Sequence, residues 1–282
     1  MAFLLFSTSR RRIALSLQFQ YNSYMDLREQ IRRRAQEEGV AEDYVLGAAL
    51  ARESLLWFFR AFPHLAIFVG GNVLHLIYGS PRYSRDVDLF PYRELGEAEL
   101  AKIAEWLERK LPPLAALLRQ PINCRVRTLD PPTIDIQLAG RRQVTLEFSR
   151  IAGAVGRTET RFLRTESLAS ELVICPVLDE LLFLKLKALL QRKFLKARDV
   201  FDLWYLLNLD AKLDEKEFEH WLALEEIESR ELRGRLDCIS PRRLEDDLAP
   251  LLPTPWLTKL RADNYASIIR PVKRLLRPFA QP

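Results

Sequence analysis

The chain is poor in the residues that most metal and nucleophile chemistry relies on. Its 282 residues include three cysteines and three histidines. Cys124, Cys175 and Cys238 form no CxxC pair, which excludes a zinc-ribbon framework and a disulfide scaffold and points to a reducing, cytoplasmic setting. His64, His75 and His220 show neither HExxH nor any paired spacing, so histidine-based catalysis is not expected. No apolar run reaches the roughly 18 residues that a membrane span needs. A strong excess of one charge is also missing: the net charge is +5, with a pI of about 9.1. That mild balance suits a partner carrying phosphates without requiring one.

What is present is apolar residue in core-building amount, 48% of the chain. In residues 1–24 a short apolar run precedes the arginines, the reverse of a signal peptide. The helix-forming DLREQIRRRAQEEGV follows Met25 directly, so a functional start near Met25 is expected, with 1–24 an extension. A packed strand over RIALSLQFQ is the equal alternative. Helical spacing covers 26–38, ended by Gly39, and 41–61, stopped by Pro63. LAIFV is a continuous apolar run of buried-strand type, ended by Gly70 and Gly71. NVLHLIYG has helical spacing, SPRYS is a loop, and RDVDLFPY alternates. Residues 95–118 are helical around the proline pair at 112–113. INCRVRTL, TIDIQLA and QVTLEFSR are strand-like, with a turn at Gly140 and Arg141 joining the last two. Residues 151–175 are mixed and irregular, expected to be a loop with short elements. From Pro176 onward VLDELLFLKLKALLQR, ARDVFDLWYLL and later segments are helical.

The fold class is therefore α+β: a mixed sheet flanked by helices, then a mostly helical C-terminal half. The division reads 1–24 as extension, 25–165 as the α/β domain and 166–282 as the helical domain.

A strand, a Gly-Gly turn, a helix, a loop and a strand bearing Asp86 and Asp88 form one arrangement. Residues i and i+2 of a strand point the same way, so both carboxylates share a face. Such a pair suits Mg²⁺ (or Mn²⁺), a hard cation that takes a few carboxylates together with phosphate oxygens. Glycines at the turn let backbone approach phosphate closely. Either element alone is weak; exposed strands often carry paired acids, and most Gly-Gly pairs are plain turns.

The stretch FVGGNVLHLIYGSPRYSRDVDLF resembles the signature of AbiEii/AbiGii-type nucleotidyltransferase toxins, which include the MenT toxins and belong to the polymerase β-like superfamily. The upstream EDYVL and the downstream LKLKALLQRKFLKARDVFDLWYLL extend the resemblance over about residues 41–210. It implies a polymerase β-like nucleotidyltransferase fold, in which Gly70 and Gly71 form the nucleotide turn, Asp86 and Asp88 bind metal, and Ser84 sits beside the triphosphate. Arg82 and Arg85 are candidates to face phosphate, with surface arginines the equal alternative. The superfamily's third carboxylate corresponds to Glu147, with Asp135 the rival. Lys185 matches a family lysine that offsets triphosphate charge, and Lys187 is expected to face solvent. Asp199 and Asp202 share a helix face, with Asp199 favoured to orient the lysine or touch the nucleotide. Val69 and Asn72 depart from the lysine and threonine often found around the glycines.

The resemblance further implies an NTP substrate, an acceptor such as the tRNA 3′ end, and a cognate antitoxin. The basic groups Arg32–Arg34, Arg157 with Arg161 and Arg164, and Arg270, Lys273, Arg274 and Arg277 are candidates for RNA phosphates. Transfer to a protein or small molecule, and nucleotide binding without turnover, are the alternatives.

Overall fold

The computed structural model describes residues 27–128, 130–149, 155–165 and 169–281. The expectations for residues 1–24 and for a start at Met25 fall outside the described residues. Helix α1 (Leu27–Glu38) ends at Gly39, whose φ of +67 favours glycine. Helix α2 (Glu42–Ala61) buries most of its length, as its broad apolar stripe requires.

Strand β1 (Ala66–Val69) is buried at every position. A short helix α3 (Gly71–Leu76) leads through the loop to β2 (Asp86–Pro91), where Val87, Leu89 and Pro91 point inward. Helices α4 (Glu97–Lys110) and α5 (Pro112–Leu118) are divided at the proline pair. Strands β3 (Ile122–Arg127), β4 (Thr133–Leu138) and β5 (Arg141–Phe148) complete a five-stranded sheet of order β1-β2-β5-β4-β3. Only β2 and β5 run parallel; the other neighbours are antiparallel. Helix α2 packs against β5 on one side of this sheet.

Within residues 151–175, expected to be a mixed, irregular stretch with short elements, lies most of a two-stranded antiparallel ribbon, β6 (Thr158–Arg164) and β7 (Ser170–Pro176). In β6 only Leu163 is fully buried, so no apolar alternation marks it. Strand β7 lies against β1.

The rest is helical: α6 (Leu178–Gln191), α7 (Ala197–Asn208), α8 (Glu215–Leu224), α9 (Ser229–Asp237), α10 (Pro241–Leu248), α11 (Thr254–Ala262) and α12 (Ala266–Leu276). Helix α7 is the hub, packing on α6, α10 and α12. One continuous apolar core joins this half to the sheet. Among the described residues no helix is long and apolar enough to cross a membrane.

Candidate active site

Gly70 ends β1 with φ +84 and ψ −161, a backbone that L side chains rarely adopt. A Cβ there would stand 1.8 Å from Asp88 Oδ2. At Gly71 a Cβ would lie 2.6 Å from Arg82 Nη2 and 3.2 Å from Ser84 Oγ. The glycine pair thus leaves room for the residues of the next strand and loop as well as for a ligand. Gly70→Ala should lose nearly all transfer activity and about 2 kcal/mol or more of stability, since strain and the displaced Asp88 add. Comparing its Tm and turnover with the parent checks this; a fully active alanine variant overturns it.

Asn72, the residue after the pair, is buried and donates from Nδ2 to the Asp86 carbonyl at 2.7 Å. It pins the start of β2 beneath α3. A threonine is too short for this reach, which gives the departure at Asn72 a structural purpose.

Asp86 and Asp88 project from one face of β2. The parallel register sets Asp88 beside Glu147 and Asp86 beside Thr145 on β5. Burial pushes the Asp88 carboxyl up to about 6; the Glu147 and Asp86 charges push the same way, and Lys185 opposes them. Glu147 is also raised, first by burial and then by Asp86. Asp135 lies on the same sheet face but one strand further off. Its carboxylate accepts from Thr145 Oγ1 at 2.9 Å and pairs with Arg127 Nε at 2.9 Å. The structure therefore brings Glu147, and not Asp135, to the two aspartates.

The helical half supplies the opposite wall. Lys185 on α6 extends Nζ to within 2.7 Å of Asp202 Oδ2 and 3.9 Å of Asp199 Oδ1. Asp202, one turn further along α7, and not the favoured Asp199, is thus the close partner of the lysine. The same carboxylate receives Arg82 in a two-pronged contact, Nε to Oδ1 and Nη2 to Oδ2, both 2.7 Å. Burial alone would raise Asp202, yet Arg82 and Lys185 hold it below the usual carboxylate range. Asp199 pairs instead with Arg192. Arg82, expected to face phosphate, has its guanidinium committed to Asp202 and the Tyr83 carbonyl. Arg85 lies over the Tyr44 ring, 4.6 Å from its centroid. Lys187 is buried against Phe183 and Trp221 rather than facing solvent.

These groups surround one cleft of about 230 Å³. Gly70, Gly71, Arg82, Ser84, Asp86, Asp88, Glu147, Lys185 and Asp199 all line it, and Asp202 stands behind Lys185. The cleft also takes in Arg192, at the end of α6, and Arg198, in the first turn of α7.

A model of the nucleotidyl transferase AbiEii toxins of type IV toxin–antitoxin systems matches residues 54–281. The chain belongs to the AbiEii family. It is a nucleotidyltransferase of the toxin type, and membership implies an NTP substrate and an antitoxin partner. A search of curated proteins by sequence finds no match. Among solved structures, JHP933 from Helicobacter pylori is similar at 16% identity and a TM-score of 0.47, over 85% of this chain and 95% of the other. A second H. pylori structure, described as a candidate nucleotidyltransferase, gives 15% identity and a TM-score of 0.48, over 86% and 100%.

Metal fit in this AbiEii-family chain turns on the donor set. Among the described residues no group of three or more His, Cys, Asp or Glu is spaced to hold a metal ion alone. Mg²⁺ rarely asks for that; it takes one or two carboxylates and completes its shell with phosphates and water. Three acids lining one cleft, where Asp86 and Glu147 raise Asp88 and Asp86 raises Glu147, suit such a cation.

The basic segments divide. Arg32, Arg33 and Arg34 pair with Glu29, Glu37 and Glu38, and Arg157 and Arg161 pair with Asp179 and Glu159. Arg270, Lys273, Arg274 and Arg277 instead line a groove of about 710 Å³ with Arg233. Arg192 and Arg198 were not singled out from sequence as cleft residues. The signal for them is a run of cations, Arg192, Lys193, Lys196 and Arg198, directly before Asp199.

Proposed function

We propose that this toxin transfers a nucleoside monophosphate from an NTP to the 3′ hydroxyl of an RNA such as tRNA, releasing pyrophosphate. The observation that carries the proposal is the cleft itself: Asp86, Asp88 and Glu147 on one wall face Lys185 on the other, across the Gly70–Gly71 turn. Asp86 and Asp88, with Glu147 beside them, would hold Mg²⁺ or Mn²⁺, which when bound neutralises triphosphate charge. Gly70 and Gly71 let the phosphates approach backbone, and Ser84 Oγ lies at the same turn. Lys185 supplies positive charge to the phosphates while Asp202 fixes its direction. The acceptor oxygen forms a bond to the α-phosphorus, the bond to the bridging oxygen breaks, and pyrophosphate leaves. The hydroxyl proton passes to the carboxylate cluster.

Incubation with α-phosphate-labelled NTPs and either total RNA or total protein tests the acceptor. Label in RNA is expected; label in protein only overturns the RNA acceptor and favours protein modification.

The raised Asp88 carboxyl has a pH consequence. A proton competes with the cation below about pH 6, so apparent Mg²⁺ affinity should fall about tenfold per unit from pH 6 to 5. For the metal-free protein the sign is opposite. The folded state holds this proton more tightly than the unfolded chain, so the stabilising contribution of Asp88 is full below about pH 4 and lost as pH rises through 6. Cation titrations at several pH values check the first effect, and Asp88→Asn should abolish the second.

A further inference from the structure

Phe194 is 69% exposed, the most open of the large hydrophobic side chains among the described residues. A single exposed phenylalanine means little by itself. Three features distinguish this one.

The first is place. Phe194 lies on the loop between α6 and α7, and Arg192 at the start of that loop and Arg198 in the first turn of α7 both line the active-site cleft. The second is anchoring. The neighbouring Leu195 is buried, and the Ala197 N–H donates to Asp247 Oδ2 at 2.9 Å, so the loop is fastened to the helical half while Phe194 is held outward. The third is charge. Arg192, Lys193, Lys196 and Arg198 crowd the loop, and no acid lies among them. Arg192 pairs with Asp199, but Lys193, Lys196 and Arg198 form no ion pair with a described residue. The Lys193 ammonium sits 5.4 Å from the Phe194 ring centroid.

An exposed aromatic plane set among cations is the chemistry that binds unpaired nucleotides. The ring stacks on a base and the cations take the flanking phosphates. We propose that Phe194, with Lys193 and Lys196, is an acceptor subsite that stacks an unpaired base near the 3′ end of the RNA and holds that end at the cleft. This rests on the RNA-acceptor reading above. Phe194 is exposed and is not among the residues that line the cleft, so it grips the acceptor beside the cleft and not the triphosphate within it. An acidic peptide would use the lysines but gain little from the ring.

The experiment measures steady-state transfer from a mixture of labelled NTPs to deacylated mixed tRNA, with Phe194→Ala, Phe194→Trp and the parent. Phe194→Ala should raise KM for tRNA about tenfold, with kcat and KM for NTP unchanged. Phe194→Trp should restore the parent KM, because it restores the stacking plane. Lys193→Ala with Lys196→Ala should flatten the salt dependence of tRNA binding. An alanine variant with the parent KM for tRNA overturns the subsite while leaving RNA transfer intact. Equal losses toward NTP and tRNA that tryptophan does not rescue also overturn it, since they mark a structural role. Labelling of protein alone by the parent overturns both this subsite and the RNA reading beneath it.

Discussion

Asp86→Ala should abolish nucleotidyl transfer and growth inhibition while leaving the protein as stable as the parent, or slightly more so. The two halves of that expectation come from different physics. Asp86 is exposed, and its side chain carries no hydrogen bond or ion pair with a described residue. What holds the residue is its own carbonyl, accepting from Asn72, and alanine keeps that contact. Removing the carboxylate also removes a negative charge that presses on both Asp88 and Glu147. The folded state therefore loses a repulsion and no hydrogen-bond or ion-pair partner, only the weaker pull between Asp86 and Lys196. Under the proposed chemistry the transition state loses a cation ligand, which should cost about a thousandfold or more in rate. Unchanged Tm with lost activity is the signature of a residue kept for function at the expense of stability. Growth inhibition that survives in Asp86→Ala would sink the catalytic reading and favour a nucleotide-binding module without turnover.

The legible parts of this molecule were those whose signal is local. Continuous apolar character marked β1, alternation marked β2 with its two acids on one face, and the glycine pair marked the turn between β1 and α3. The proline pair divided α4 from α5 for equally local reasons. Strands β6 and β7 escaped because their outward faces carry arginine, glutamate, Phe162 and Leu172, leaving too few inward positions to show a period of two. At the site, the sequence could place Asp199 and Asp202 on one face of α7 but could not say which of them reaches Lys185. That depends on how deeply α7 sinks against α6. Arg82 shows the same limit: in a loop of SPRYSR it looks like a surface arginine, yet it is 2% exposed because Asp202 comes to meet it from a helix 120 residues later.

That long-range contact carries the second large expectation. Asp202→Ala should destabilise the protein by about 3–5 kcal/mol, lowering Tm by about 5–10 °C. The side chain is fully buried and is the shared acceptor of Arg82 and Lys185. Deleting it leaves two cations facing each other across a cavity, one of them an arginine whose charge cannot be lost. The cost is that of uncompensated buried charge, not the modest net worth of an ion pair. Asp199→Ala is the contrasting variant on the same helix face. One of its oxygens has no hydrogen-bond partner, and its partner Arg192 is 35% exposed and able to reach water. Its loss should therefore be clearly smaller. Arg82 comes from the loop before β2, Lys185 from α6 and Asp202 from α7, so the pair of melting curves also reports what ties the sheet to the helical half. If Asp199→Ala proves as damaging as Asp202→Ala, the tie runs through Arg192, and the buried Arg82–Asp202–Lys185 cluster is not what fixes the lysine over the carboxylates.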